Sequence, residues 1–186
     1  MAKKTHIHYE VPIPSGVTVE VSDKVIKVRG PKGSLERDFS YAKEVLIGVR
    51  NSKVVVEAYF ANRRLKALTG TIAAHLRNMI EGVVEGYRYK LKIVATHFPM
   101  TVQVNEGSKV VVIKNFLGEK SDRVAKIIGD TKVRVEGDDI IVEGVDLEAV
   151  SQTAANIELA TRVVDRDRRA FIDGIYIYDK GEGLEL

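Results

Sequence analysis

The sequence contains no cysteine and, among its 186 residues, only four prolines. Without cysteine, disulfides and thiolate metal sites are excluded, and a reducing compartment suits the chain. It has no apolar run of the roughly eighteen residues that a membrane-spanning helix needs. The first ten residues, MAKKTHIHYE, also lack the apolar stretch of a secretory signal. We therefore expect a cytoplasmic protein that does not enter a membrane.

The composition is that of a globular protein, with 45% hydrophobic and 30% charged residues. This length suits one large domain or two small ones of about 90 residues each. The charges are unevenly distributed. Residues 1–94 carry 17 Lys and Arg against 9 Asp and Glu, whereas the remainder carries 12 against 17. A basic half joined to a mildly acidic half suggests different surroundings for each.

The two halves share one pattern. VTVEVSDKVIKVRGPKG resembles MTVQVNEGSKVVVIKNFLG, VRNSKVVVEA resembles VEGDDIIVEG, and TGTIAAHL resembles SQTAANI, always in the same order. Small insertions fall at predicted turns, where they cost least. The repeat predicts a duplicated module, with an N-terminal domain at 1–82 and a C-terminal domain at 83–186.

Each copy predicts an α+β fold in which a small antiparallel sheet packs against one helix. Alternating valines predict strands in the first copy, followed by apolar residues three and four apart from Leu65 to Val83, which predict a helix. In the second copy we expect strands near 100–105, 109–114, 131–136 and 139–143. Its helix should begin at Asp146, a typical N-cap residue, and run to Ala160. Residues 87–95 are interpreted as a strand crossing into the second module, with 174–178 in the matching place.

The stretch VIKVRGPKGSLERDF raises the question of a phosphate-binding loop. Such a loop needs free backbone amides at the start of a helix. Here the residues after Gly33 alternate as a strand does, and Pro31 removes one amide. The pattern therefore favours a hairpin turn, whose tip still exposes Arg29 and Lys32 to a phosphate backbone or a protein.

No other sequence pattern indicates an active site. The four histidines do not have metal-ligand spacing, no serine sits in a nucleophile elbow, and Asp138-Asp139 is typical of a turn. We predict that the protein is not an enzyme and has no cofactor, no metal and no small-molecule substrate.

Basic residues form the stronger signals. In the first half, positive charge at the start of the predicted helix opposes the helix dipole, so helix stability does not explain it. These residues are possible contacts to RNA or protein: Arg63, Arg64, Lys66, Arg77 and Asn78. In the second half, two clusters interrupt an acidic background, and arginine suits phosphates and stacked bases. They are Lys114, Asn115, Lys120 and Arg123, and then Arg162, Arg166, Arg168 and Arg169.

Four motifs carry a resemblance across nearly the whole chain: VRGPKGSLERDF, NFLGEK, VSQTAANI and RDRRAFIDGIYIYDKG. Together they resemble the family of large-subunit ribosomal protein six, number nine in the eukaryotic nomenclature, in its archaeal and eukaryotic branch. The resemblance implies two similar α+β domains in the large ribosomal subunit, with the second domain as the main rRNA contact.

The resemblance also implies a location. It places the protein near the stalk base and the sarcin-ricin loop, beside other ribosomal proteins and the docking site of translation factors. The implied RNA contacts are the loop from Lys114 to Arg123, the arginine stretch, and the segment up to Lys180. Bacterial relatives end in a lysine- and glycine-rich loop that this chain lacks, so their individual residues do not transfer.

Two alternatives remain open at this point. One is a protein–protein scaffold without an RNA role, whose charges only solvate a duplicated sandwich. The other is a small nucleotide-binding enzyme that works through Gly30–Gly33.

Overall fold

The computed structural model describes residues 4–164, 166–167 and 169–184, with only the backbone at residues 4 and 5. The chain divides into two compact units after Glu85. The predicted boundary, after residue 82, lies within the last turn of the helix that closes the first unit.

The first unit holds six strands and one helix. The strands are β1 (Lys4–Pro12), β2 (Thr18–Ser22), β3 (Val25–Gly30), β4 (Gly33–Asp38), β5 (Leu46–Arg50) and β6 (Lys53–Ala61), and the helix is α1 (Arg63–Val84). They form two antiparallel sheets of order β1-β6-β5 and β2-β3-β4. Fully buried side chains such as Phe39, Ile72 and Leu76 fill one core between these elements.

The second unit repeats this plan with one additional strand. Its strands are β7 (Tyr87–Val94), β8 (Thr101–Asn105), β9 (Val110–Lys114), β10 (Arg123–Lys126), β11 (Lys132–Glu136), β12 (Asp139–Gly144) and β13 (Gly174–Glu182), and its helix is α2 (Leu147–Ala160). The sheets have the orders β11-β12-β7-β13 and β10-β9-β8. The predicted fold class is confirmed, and the structure adds that the strands of each unit fall into two sheets.

Both helices begin where the sequence predicts. Asn62 caps α1 by accepting a hydrogen bond from the Leu65 amide at 2.8 Å, and Asp146 caps α2 by accepting one from Glu148 at 3.0 Å. The apolar residues at three- and four-residue spacing in α1 face the core. In the part of the chain that the structure describes, no helix is long and apolar enough to cross a membrane.

The glycine-lysine stretch is a hairpin. Gly30 pairs with Gly33 across the two-residue turn, and the Lys32 amide donates to the Val83 carbonyl at the end of α1, at 2.9 Å. A Cβ on Gly30 would approach the Val83 carbonyl oxygen to 2.7 Å. The turn packs on the end of a helix, and the Lys32 amide already donates to the Val83 carbonyl. The turn therefore cannot bind a phosphate as a phosphate-binding loop does. The nucleotide-binding interpretation is therefore wrong.

The interpretation of residues 87–95 needs a correction. β7 lies within the second unit, where it pairs with β12 just as β1 pairs with β6 in the first. Its counterpart is therefore β1, and β13 pairs with the other edge of β7 instead of replacing it. The sequence pattern missed this because no strand was predicted at the position of β1.

We predict that Gly30→Ala lowers the free energy of unfolding by about 1–3 kcal/mol, because the new methyl group would overlap backbone and side-chain atoms of Val83. Gly48→Ala is the matched control, since a Cβ on Gly48 meets no atom within 4 Å. The control should stay within about 0.5 kcal/mol of the wild type. Urea unfolding measures both, and equal stabilities of the two variants would contradict the packing described for the turn.

Candidate nucleic-acid interface

Besides the additional strand β13, the two units differ in the connection that follows β3 in the first unit and β9 in the second. In the first unit, two residues join β3 to β4, whereas residues 115–122 join β9 to β10 in the second. This insertion is anchored by Phe116 and Leu117, whose side chains are buried in the core. Asn115 and Leu117 adopt left-handed backbone conformations, with φ of 57° and 49°. The loop therefore has a defined conformation. The side chains of Lys114, at the end of β9, and of Asn115 and Lys120, within the loop, are exposed.

Arg123 fixes this loop to the end of α2. Its guanidinium donates to both carboxylate oxygens of Glu119, at 2.6 and 2.8 Å, and lies 4.3 Å from the centre of the Phe116 ring. Its remaining donor bonds the carbonyl oxygens of Ala160 and Arg162 at 2.9 and 3.1 Å. All of these contacts lie within the protein, so Arg123 acts as a positioning residue for two loops.

A second tie joins the segment after β7 to the segment before β13. Asp173 is 2% exposed and accepts hydrogen bonds from the backbone amides of Thr96 and His97, at 2.6 and 2.9 Å, and contacts the His97 ring. Burial raises the pKa of Asp173, but the hydrogen bonds from His97 and Thr96 outweigh it, so the pKa lies below its ordinary value. The carboxylate therefore stays charged and holds the two segments together.

Aromatic rings continue this contact to the surface. The His97 ring stacks on Phe171 with centroids 4.8 Å apart, and the Arg166 guanidinium lies 4.9 Å from the centre of the same ring. Phe98, 43% exposed, lies over Gly118, where a Cβ would be 3.4 Å from its ring. The Asn115 side chain donates to the Pro99 carbonyl at 2.9 Å. These contacts bring residues 95–99 and 115–122 together with residues 162–164, 166–167 and 169–172, and we call this the loop surface.

Two ion pairs on the loop surface lower the pKa of Glu119 and that of Asp167. The hydrogen bond from Arg123 lowers the pKa of Glu119 against the effect of burial, and the charges of Arg123 and Arg166 lower it further. Asp167 accepts two hydrogen bonds from the Arg169 side chain, at 3.1 and 3.0 Å, which lower its pKa and raise that of Arg169. The Arg169 side chain is 91% exposed, so a phosphate can approach it from solvent.

The structure brings most of the predicted second-half residues to one place. Exposed on or beside the loop surface are Lys114, Asn115, Lys120, Arg162, Arg166 and Arg169. Arg168 lies outside the described residues. Lys180 is not part of this surface, because it stands six residues along β13, roughly 20 Å from the start of that strand. There it lies 5.8 Å from the centre of the Tyr89 ring.

The possible contacts of the first unit are dispersed. Arg29 and Lys32 lie at the hairpin that packs on the end of α1, whereas Arg63, Arg64 and Lys66 lie at its start. The 22 residues of α1 separate the two groups by roughly 30 Å. Further along the helix are exposed Arg77 and half-buried Asn78. The first unit therefore has no cation cluster comparable to the loop surface among its described residues.

Sequence reasoning missed the aromatic part of the loop surface. His97, Phe98 and Phe171 were not candidates, because His97 and Phe171 meet only through the pairing of β7 with β13. The local motif THFP, directly after a predicted strand, was the only available signal. Among the described residues, no group of three or more side chains could hold a metal ion. The arrangement thus offers exposed cations for phosphates and partly exposed rings for bases.

Comparison with known proteins decides the family. The family model described as "Ribosomal protein L6" matches residues 13–86 and again residues 98–174, which is the duplicated module. The chain belongs to the ribosomal protein L6 family. Membership confirms the resemblance carried by the four motifs, and it confirms that this is a ribosomal protein rather than an enzyme.

Individual relatives match over nearly their full length. The large ribosomal subunit protein uL6 of Staphylothermus marinus is 63% identical over 98% of this chain and 99% of its own. That of Desulfurococcus amylolyticus is 61% identical over 99% and 100%, and that of Aeropyrum pernix is 57% identical over 97% and 98%. These archaeal sequences confirm the predicted branch of the family.

We predict that Asp173→Asn lowers the free energy of unfolding by about 1–3 kcal/mol near neutral pH, because the buried carboxylate loses its charge toward His97 and two amides. A carboxyl whose pKa is lowered by folding contributes stability above its unfolded pKa, and loses it as the pH falls through the folded pKa. The difference from the wild type should therefore shrink below about pH 4, as measured by urea unfolding at several pH values.

Asp130→Asn serves as the control for this pH dependence, because the Asp130 side chain is fully exposed and its ion pair with exposed Lys109, at 3.4 Å, contributes little to stability. Its stability should follow the wild type at every pH. A difference between wild type and Asp173→Asn that stays constant down to about pH 2 would contradict the assignment of a charged Asp173.

Proposed function

We propose that the protein is a structural constituent of the large subunit of the cytoplasmic ribosome, and that the loop surface of its second unit binds large-subunit rRNA. Family membership supports the ribosomal role, since the similar archaeal proteins carry the name of a large-subunit protein. One observation supports the proposed RNA site: three loops meet in a single surface that has exposed cations and stacked rings.

Each part of the loop surface has a physical role in this proposal. Lys120, Arg166 and Arg169 neutralise phosphates where rRNA helices converge. Arg166 packs its guanidinium face on Phe171, which leaves the edges of the guanidinium to donate to phosphate oxygens. Phe98 and His97 offer ring faces to unpaired bases. Arg123 and Asp173 hold these groups in register from inside the protein.

The place on the ribosome follows from the family resemblance. We propose that this rRNA lies near the stalk base and the sarcin-ricin loop, with neighbouring ribosomal proteins and the docking site of translation factors close by. Lys180, at the far end of β13, then contacts RNA beyond the loop surface. In the first unit, Arg29, Lys32 and the cations of α1 remain candidate contacts to RNA or protein.

A protein–protein scaffold without RNA contacts is the competing function. Such a scaffold gives weak RNA binding that does not depend on the arginines of the loop surface. The rRNA interpretation predicts the opposite, because a few phosphates respond to charges within about one Debye length, roughly 8–10 Å, rather than to the net charge of a unit.

We predict that Arg166→Ala together with Arg169→Ala weakens binding to an rRNA fragment carrying the sarcin-ricin region by roughly tenfold or more near 0.1 M salt. The slope of log affinity against log salt should fall by about 1 to 2, because up to two phosphate contacts are lost. Titrations at several salt concentrations measure both quantities, and circular dichroism checks that the fold survives.

The matched control is Lys126→Ala together with Lys132→Ala, which removes the same charge from exposed positions of the second unit outside the loop surface. This control should bind nearly as the wild type does. Equal losses in both double variants would mean that only the total charge matters, and unchanged binding in the arginine variant would refute the site.

A separate variant tests the proposed base contact. Phe98→Ser removes a partly exposed ring, and we expect it to weaken binding by about 1–3 kcal/mol while leaving the salt slope unchanged, because no phosphate contact is lost. Tyr178→Ser is the control, since its ring is also exposed but lies on β13 away from the loops. A reduced salt slope in Phe98→Ser would indicate that the variant disturbs the loop instead of a stacking contact.

A further inference from the structure

The duplicated plan leaves one position of the first unit unfilled. β7 lies between two strands, with β12 on one side and β13 on the other. Its counterpart β1 pairs with β6 on one side only, and in the described part of the chain no strand occupies the other side. A nine-residue strand with an unpaired edge presents a row of backbone donors and acceptors.

The second unit shows what fits at such an edge. β13 runs antiparallel to β7 from the pair Gly174 and Val94 to the pair Glu182 and Tyr87, with a register shift at Tyr178. Ile175 is fully buried beneath α2, and its amide donates to the Thr161 hydroxyl at 2.9 Å. An extended segment that buries an apolar side chain therefore completes this sheet and part of its core.

The helix beside the free edge carries positive charge. α1 approaches β1 at Gly70, where a Cβ would lie 3.6 Å from the Tyr9 hydroxyl oxygen. Helical spacing places Lys66 and Arg77, four residues before and seven after Gly70, on this same flank, and both are exposed. No acidic residue occurs between Arg63 and Arg77. A ligand at the β1 edge would therefore lie next to two exposed cations, of which Arg77 has one carboxylate, Glu81, four residues further along the helix.

The edge itself lacks most of the devices that prevent strand addition. Natural edge strands are protected by prolines, bulges, inward charges or short length. β1 has its proline only at the last position, and its inward-facing residues Ile7, Tyr9 and Val11 are apolar or aromatic. From Ile7 to Pro12 its register with β6 is continuous. These properties favour a strand that is covered in the assembled state.

We propose that the free edge of β1 binds an extended, acidic segment of another polypeptide, which adds to the sheet as an antiparallel strand. The backbone pattern of an edge matches a peptide and not a nucleic acid, since alternating amides and carbonyls pair with their own kind. Carboxylates on the added segment would pair with Lys66 and Arg77. This site lies in the first unit and does not depend on the loop surface.

The probe is a synthetic peptide with the sequence IDGIYIYDKGE, which is residues 172–182 of this chain and carries three carboxylates against one lysine. It is added to the full-length, isotope-labelled protein, and amide hydrogen exchange is followed by NMR. In the free protein, alternate amides of β1 should exchange fast because only one edge is paired. The peptide should slow exchange at these amides, and its affinity should fall as salt rises.

Arg77→Glu should lower the affinity for the peptide by about fivefold or more at low salt, because it places a like charge beside the carboxylates of the peptide. Arg64→Glu is the matched control on the same helix, since Arg64 lies beside Tyr41 and Lys43 and away from β1. The same peptide with both tyrosines replaced by proline should not bind, since proline cannot join the ladder.

Three results would overturn the proposal. The first is no protection of β1 at millimolar peptide, and the second is equal binding of the proline peptide. The third is protection of β7 instead of β1, which would mean that the peptide only exchanges with β13. If an rRNA fragment perturbs Lys66 and Arg77 while the peptide does not bind, the occupant of this flank is RNA and not a strand.

Discussion

The loop surface depends on the single guanidinium of Arg123. A loop of eight residues between two strands has many conformations available, and ordering it costs about 1–2 kcal/mol per residue in backbone entropy. Arg123 offsets part of this cost by bonding Glu119 within the loop and two carbonyls at the end of α2. Because Ala160 ends α2 and Arg162 lies in the connection that follows, this one side chain contacts both basic segments, in addition to the anchoring by Phe116, Leu117 and Asp173.

In the second unit, the net charge does not indicate where the exposed cations lie. The half of the chain with the acidic excess is the one in which cations cluster on a single surface. Carboxylates there are largely paired: Glu119 with Arg123 inside the loop, and Asp167 with an exposed arginine. An exposed ion pair contributes little to stability, so a phosphate can replace the carboxylate at small cost. The proposed RNA site therefore depends on the local arrangement of charge and not on its sum.

Local sequence signals predicted the helices, strands and turns, but not which strands pair and which loops come into contact. The turn at Gly30, the cap Asp146 and the spacing in α1 each depend on a few adjacent residues, and each agrees with the structure. The basic clusters were also visible as local composition. By contrast, the contact of Asp173 with His97 spans 76 residues and depends on the pairing of β7 with β13. No periodicity encodes such a pairing, which is why the aromatic part of the surface and the separate position of Lys180 could not be predicted.

Duplication explains why the two units can serve different contacts on one fold. Both keep a strand before the helix at the centre of a sheet, which places β6 and β12 between two neighbours. In the second copy, β13 pairs with the outer edge of β7, and eight residues instead of two join β9 to β10. The first copy has kept a tight turn against the end of α1 and an open edge beside a cationic helix flank. Since an unpaired edge promotes unwanted association, the open edge of β1 supports the proposed partner strand.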